Sequence, residues 1–303
     1  AVIASSPHPF IIWGARRLAK AAGAKLIFEV RDIWPLTMSE MGGMSRFHPF
    51  YLLCQKAEDD AYKYSDKVVS LLPYAYEHMK TRGLAADKFV CIPNGFTENY
   101  FRESKELPPE LADKINAFRA RHDFIVGYAG AHGIANSLAN VIQAFDILKK
   151  DTHAGLILIG AGAEKKNLEN LVLKLGLTNV LMLPAVTKEQ VLNVIDVFDV
   201  AYIGLKKSPL FKFGVSPNKL IDYMMLAKPV LYAIDTERDP VLESQCGIRV
   251  PADSALKMSQ GIQMLMKLPK DELQKMGQRG QDWIIDNLGY ESLMTKWEEV
   301  LKG

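Results

Sequence analysis

Phe124-Ile125-Val126-Gly127-Tyr128-Ala129, followed by Gly130-Ala131-His132-Gly133, a helical stretch from Ser137 to Lys150 and a second apolar run from Gly155 to Ile159, decides the fold. Both runs are continuously apolar rather than alternating, as parallel strands covered on both faces are. A strand, a helix and a second parallel strand make a right-handed βαβ unit. The pattern extends outward in both directions. Strands are expected at Ala1 to Ala4, Lys25 to Val30, Lys67 to Leu72, Phe89 to Ile92, Val180 to Leu183, Val200 to Gly204 and Pro229 to Ala233. Helices are expected at Pro9 to Ala22, Pro49 to Tyr64, Glu164 to Leu175 and Lys188 to Val194. Alternation of this kind predicts an α/β protein built on doubly wound parallel sheets.

The alternation breaks once, between Asn94 and Asp123. Asn94-Gly95 reads as a turn, and Leu107-Pro108-Pro109 with the charged helix after it reads as a connector. Residues 1–104 are therefore expected to form one Rossmann-like domain and residues 105–286 a second. Past Ala252 the chain reads as helical, and Leu288-Gly289 interrupts it so that residues 287–303 can change direction. Because the sequence enters on a buried-type strand, Ala1-Val2-Ile3-Ala4, the first domain is expected to lack its first strands.

A length of 303 residues suits two such domains. The net charge of +2 offers no field for nucleic acid, so any phosphate specificity must come from local geometry. Cys54, Cys91 and Cys246 have no paired metal-ligand spacing, and their usage fits a reducing cytoplasm. No zinc, EF-hand, phosphate-loop lysine, serine-hydrolase or full dinucleotide pattern occurs, so neither a metal nor an organic cofactor is expected. No signal peptide or membrane-length apolar run is visible.

Ligands of open α/β sheets bind beyond the carboxyl ends of the strands. The most informative loop there is Leu210-Phe211-Lys212-Phe213-Gly214-Val215-Ser216-Pro217-Asn218-Lys219-Leu220-Ile221-Asp222. Ser216 suits a helix N-cap and Pro217 the first helical position, which leaves the amides of Asn218 and Lys219 open at the positive end of the helix dipole. Lys219 and Asp222 share a helix face, so one cation and one carboxylate flank that opening. Lys219 would neutralise a diphosphate and Asp222 would accept from ribose hydroxyls; a capped helix with a surface ion pair is the plainer reading. Lys206, Lys207 and Lys212 add basic character before the cap. Gly130, His132 and Gly133 after one strand, and Gly160 and Gly162 after the next, let main chain approach a ligand or simply satisfy turn geometry. Nucleobase recognition is expected from main chain near Pro184 to Thr187, Val186 included. In the first half, His8 could contact sugar hydroxyls or face water, and Asp32 could accept from an acceptor hydroxyl or cap the turn before Trp34. Phe10 to Lys25, with Trp13, Arg16, Arg17 and Lys20, reads either as a membrane-surface helix or as a helix covering a sheet.

These residues resemble a family. Ile92-Pro93-Asn94-Gly95, Tyr128-Ala129-Gly130, Leu158-Ile159-Gly160-Ala161-Gly162 and Ser216-Pro217-Asn218-Lys219-Leu220-Ile221-Asp222-Tyr223-Met224 through Lys228-Pro229-Val230 resemble family 4 retaining glycosyltransferases of the GT-B fold. Ser5-Ser6-Pro7-His8-Pro9 and Phe28-Glu29-Val30-Arg31-Asp32-Ile33-Trp34-Pro35 resemble more narrowly the branch of N-acetylfucosamine transferases of bacterial surface-polysaccharide assembly. The resemblance implies two Rossmann-like domains facing across a cleft, the second holding a nucleotide-diphosphate sugar, with a final helix crossing back to the first. It implies transfer with retention, from a donor such as a UDP-N-acetylated sugar, to a lipid-linked or growing polysaccharide acceptor. It also implies a cytoplasmic enzyme, peripheral at the inner face of the plasma membrane. Asp222 takes the place of the ribose-binding carboxylate. Gly214 takes the place of the first carboxylate of that pattern and cannot supply it. The loop Ala131-His132-Gly133-Ile134-Ala135-Asn136 lacks the cations usual there, so Lys219, with Lys206 or Lys212, is expected to compensate. His8, Asp32 and Lys219 are the expected catalytic-side residues, and the glycine-rich loop of relatives has no counterpart. The readings that compete are a non-catalytic nucleotide-binding subunit and a nucleotide-sugar 2-epimerase.

Overall fold

The computed structural model describes residues 1–97, 105–150, 153–237 and 239–302. The expected boundary between residues 104 and 105 adjoins the segment 98–104, which lies outside the described residues.

The first sheet holds β1 (Val2–Ser5), β2 (Leu26–Val30), β3 (Lys67–Ser70) and β4 (Phe89–Cys91), parallel and in chain order. The crossovers are α1 (Ile11–Ala22), then α2 (Leu36–Glu40) and α3 (Pro49–Tyr64), then α4 (Ala75–Met79). Helix α1 turns Ile12, Ala15 and Ala19 into the core and ends at Gly23, whose φ of 57° is the left-handed conformation that suits a C-cap. Phe10 and Trp13 also pack inward, so α1 covers its sheet with its apolar side. Helix α3 starts at Pro49, with the His48 ring accepting from the Phe50 amide at 3.2 Å.

The second region begins with α5 (Pro109–Arg119) and β5 (Phe124–Ala129). It continues through α6 (Leu138–Ile147), β6 (Ala154–Ile159), α7 (Lys165–Leu175), β7 (Val180–Leu183), α8 (Lys188–Asp196) and β8 (Val200–Gly204). Then come α9 (Asn218–Met225), β9 (Val230–Ala233), α10 (Pro240–Ser244), β10 (Gly247–Arg249), α11 (Ala255–Met266), α12 (Lys270–Leu288) and α13 (Tyr290–Lys302). Its strand order is β10-β9-β8-β5-β6-β7, all parallel, with every residue of β5, β6, β8 and β9 buried. The winding reverses between β5 and β8, and that switch point is where a ligand crevice opens in such sheets. Helices α2, α4 and α10 and strand β10 were not foreseen. Each spans five residues or fewer, too short for a 3.6- or 2-residue period to declare itself.

One tie between the two regions runs through Phe96. The Phe96 amide donates to Leu288 at 3.2 Å, and the Tyr290 amide donates back to Phe96 at 3.1 Å. Helix α13 then leaves α12 and lays Leu293, Trp297 and Val300 on Ile27, Val69 and Ile92 of the first region. Among the described residues no helix is long and apolar enough to cross a membrane.

Candidate active site

Helix α9 is docked on the switch point by Tyr223. Its fully buried hydroxyl accepts from the Ala129 amide, at the end of β5, at 3.0 Å. One turn earlier, Lys219 folds its side chain over Gly130: a Cβ at residue 130 would lie 2.3 Å from Lys219 Cε. Gly130 has φ of 149°, outside the range of ordinary side-chain-bearing residues. Lys219 Nζ sits 5.4 Å from the centroid of the Tyr128 ring, a cation–π arrangement. The lysine and the glycine that the sequence put in separate motifs are thus one contact. Burial pulls the Lys219 pKa down, and Asp222 pushes it back up. Burial also pushes the Asp222 carboxyl up to about 6, against the opposing pull of Lys188 and Lys219. Lys188, at the start of α8, went unnoticed in the sequence, because nothing local marks a lysine that reaches toward a carboxylate on another helix.

The start of α9 differs from expectation. Pro217 is extended, with φ −79° and ψ 120°, and the helix begins at Asn218; Ser216 makes no cap. The Ser216 hydroxyl instead accepts from the Asn94 amide at 3.3 Å, and Asn94 Nδ2 donates to the Ser216 carbonyl at 3.1 Å. This residue joins the two regions. The amides of Asn218 and Lys219 still precede the first intrahelical acceptor, so the open donors at the dipole's positive end remain.

The loops beyond β5, β6 and β7 interlock. A Cβ on Gly160 would lie 1.9 Å from the Gly130 carbonyl oxygen, and one on Gly162 would lie 2.5 Å from that of His132. Both glycines have φ near 153°. Loop-against-loop packing alone therefore requires them. Lys165 ties the same corner by donating to the carbonyls of Gly160 at 2.9 Å and Leu183 at 2.8 Å. Gly133 is different: its φ is −100°, and an added Cβ would meet nothing nearer than 3.4 Å. His132, expected to face the donor, is fully buried beneath the loop, with neither ring nitrogen in a hydrogen bond of good geometry. Burial, aided by the Lys165 charge, holds its pKa below the ordinary imidazole value. The turn therefore offers a ligand main chain rather than imidazole. Beyond β7, the Thr187 amide is taken by Gln190 in a capping box. Pro184 is exposed and Val186 half-buried at the same loop, on the outer face of the sheet end.

Between the regions lies a cleft of about 460 Å³ whose walls include Pro7, Arg31, Asp32 and Asn94 on one side and Gly214, Ser216 and Pro217 on the other. Asp32 is exposed there, and its backbone carbonyl, not its carboxylate, closes the turn to Trp34. His8 is exposed against Phe10, ring centroids 5.9 Å apart, and stands outside the lining of this cleft. Gly214 has φ of 97°, and a Cβ there would lie 2.6 Å from Pro73 Cδ. An acidic side chain at 214 would press on the first region, which explains the glycine. Lys206 and Lys212 do not join Lys219: both are exposed, and Lys212 lies over the Phe213 ring in a separate opening lined by Glu237 and His78. Among the described residues no group of three His, Cys, Asp or Glu could hold a metal.

The perturbed carboxylate has a measurable consequence. Asp222 titrates near 6 when folded against 3.8 as a free group, so the folded chain holds its proton more tightly. That stabilisation is complete below 3.8 and is lost as pH rises through 6. Asp222→Asn should then stabilise the nucleotide-free protein at pH 8 by on the order of 2 kcal/mol, seen as a higher melting temperature. The difference should vanish below pH 4. A variant that melts below wild type at pH 8 would contradict the burial argument.

Similar proteins follow from this architecture. HepE of Anabaena, solved in complex with UDP, superposes with a TM-score of 0.75 at 16% identity, covering 99% of this chain and 78% of that one. Sucrose-phosphate synthase of Thermosynechococcus elongatus gives 0.73 at 15%, over 99% and 73%. A glycosyltransferase of Rickettsia africae gives 0.70 at 16%, over 98% and 82%. Likenesses this distant speak for the fold, which is GT-B. No curated protein matches the sequence significantly. Residues 113–283, more than half of the chain, match the family model described as glycosyl transferases group 1. With the βαβ region, the switch-point helix and the interlocked glycine loops all inside that span, the chain belongs to the group 1 glycosyl transferases.

Proposed function

We propose that the chain transfers a sugar from a nucleoside-diphosphate donor, a UDP-N-acetylated hexose, to a lipid-linked or growing surface-polysaccharide acceptor, with retention of configuration and without a bound metal. The observation that carries this is the start of α9 at the sheet's switch point, where two open amides adjoin Lys219, whose side chain lies over Gly130, and Asp222 follows one turn along the same helix. HepE has been solved with UDP-glucose, which supports uridine as the base. Breaking the sugar–phosphate bond builds negative charge on the departing diphosphate, and fixed donors aimed at that charge lower the barrier. The amides of Asn218 and Lys219 and the Lys219 ammonium supply them. Asp222 accepts from ribose hydroxyls, and its carboxylate form is the dominant one at neutral pH. Main chain at Gly130, Gly160 and Gly162 shapes the pocket floor, and that of Ala185 and Val186 meets the base. Asp32, across the cleft, orients the acceptor, with His8 at its edge. The enzyme works at the inner face of the plasma membrane.

The presence of Gly214 favours one second reading, a non-catalytic nucleotide-binding subunit, because the donor sugar loses a carboxylate partner there. A panel separates the two. UDP, GDP and ADP are compared by thermal shift, and transfer from the matching sugars is followed with and without EDTA. At a hundredfold excess over Kd, the correct nucleotide stabilises by about 2.7 kcal/mol, several degrees in Tm. A UDP-selective rise with EDTA-resistant transfer is expected. A rise without donor turnover on any acceptor would favour the subunit, and no rise with any nucleotide would remove both readings.

A further inference from the structure

A second cavity, of about 240 Å³, shares Leu71, Val215, Ser216 and Pro217 with the cleft and is otherwise lined by different residues. Leu220, Ile221 and Met224 of α9, Trp283 and Ile284 of α12, and Cys91 at the end of β4 give it an apolar interior. Met224 and Ile284 are fully buried, so the space reaches down to the core. Folded interiors leave few voids larger than a water molecule. This one draws its lining from both regions and from the α12–α13 crossing, and the proposed transfer uses none of its interior.

The polar groups around the cavity narrow the choice of occupant. Its lining holds no Asp, Glu or Arg. It does hold Lys296 of α13, which is exposed and has no carboxylate partner among the described residues. Asp286, beside Asn287, and Glu299, one turn further along α13, lie outside the lining and do not pair with it. The other polar lining residues are engaged: Ser216 with Asn94, and Asn287, whose Nδ2 donates to the Trp283 carbonyl at 2.7 Å. A single cation at the rim of an apolar cavity matches a molecule with an apolar body and one anionic end. An apolar cavity of about 150 Å³ holds benzene, so 240 Å³ holds about ten non-hydrogen atoms, the size of octanoate.

We infer that this cavity is a binding site for a medium-chain acyl carboxylate, its chain among Leu220, Met224 and Trp283 and its carboxylate beside Lys296. Because both regions and α12 contribute to the lining, an occupant fits the one relation between them in which Asn94 meets Ser216, and so holds that relation. The site is separate from the donor assignment and stands or falls without it.

Octanoate is the probe, followed by isothermal titration and thermal melts on the 303-residue chain. It should raise the melting temperature, as a ligand of the native state does, and butanoate at the same concentration should not. Octylamine, with the same chain and the opposite charge, should bind about tenfold more weakly. Terminally brominated octanoate should quench tryptophan emission in wild type, and Trp283→Phe should lose most of that quenching. Lys296→Glu, a change at an exposed position, should weaken octanoate about tenfold, while Lys296→Arg keeps it. Cys91→Trp, which fills the cavity, should abolish binding, and circular dichroism checks that each variant is folded. No octanoate shift, equal binding of octylamine, or unchanged octanoate affinity in Lys296→Glu would overturn the inference. So would competition between octanoate and UDP, since the probe would then sit in the cleft. UDP melts on the same proteins keep the two readings apart: an octanoate shift in a wild type that ignores UDP would leave this site standing while the donor assignment fell.

Discussion

Lys219→Ala is expected to lower turnover by about 10²–10³ and to weaken UDP binding in parallel, because it removes a fixed cation from where charge develops on the leaving group. The same substitution should leave the nucleotide-free protein as stable as wild type, or slightly more so. The ammonium is held in a place where burial disfavours its charge, an effect larger than the opposing pull of Asp222, with the Tyr128 ring 5.4 Å away as its other support. Loss of function without loss of stability marks a residue kept for a ligand. Lys219→Arg should recover little, since the side chain must pass over Gly130 where there is no room for a branched planar head. Isothermal titration with UDP, initial rates and a thermal melt make the comparison. Unchanged UDP affinity in Lys219→Ala would remove the central element of the donor site.

The second large effect is structural. Gly160→Ala sets a methyl group 1.9 Å from the Gly130 carbonyl oxygen, at a φ of 153° that an alanine strongly resists. Neither side of that contact is a flexible side chain, so main chain must move. A destabilisation of about 3 kcal/mol or more follows, roughly 6–12 °C in melting temperature for a region of this size. UDP binding should fall with it, because the displaced carbonyl belongs to the residue under Lys219. Gly133→Ala is the control. Its backbone is ordinary and its surroundings are open, so it should melt close to wild type. If Gly160→Ala melts there too, the loops are not interlocked as described.

How much of this was legible in the sequence depended on how local the cause was. Strands β5, β7 and β8 read off within their ends, because a buried parallel strand writes itself as a continuous apolar run. The long helices read off nearly as well from spacing and from glycine stops. Ser216 shows the limit. By local rules it is a good cap, yet its partner is Asn94, 122 positions away, and the interregion bond outcompetes the cap. His132 shows another, since a polar residue in a glycine turn looks available until the packing around it is known. Gly214 was seen as a missing carboxylate, and only the approach of Pro73 supplies the reason. Lys165 and Lys188 left no signal, because their roles are set by the Leu183 carbonyl of the neighbouring strand and by a carboxylate on another helix.

The crossing of α13 sets an order of events during synthesis. Ile27, Val69 and Ile92 leave the ribosome early, but the side chains that shield them, Leu293, Trp297 and Val300, come roughly 200 residues later. At 5–20 residues per second that is roughly 10–40 s in which one face of the earliest sheet stands bare in water. Nascent chains arrested before residue 290 should therefore engage holdase chaperones through that face, and release from them should coincide with the emergence of Trp297.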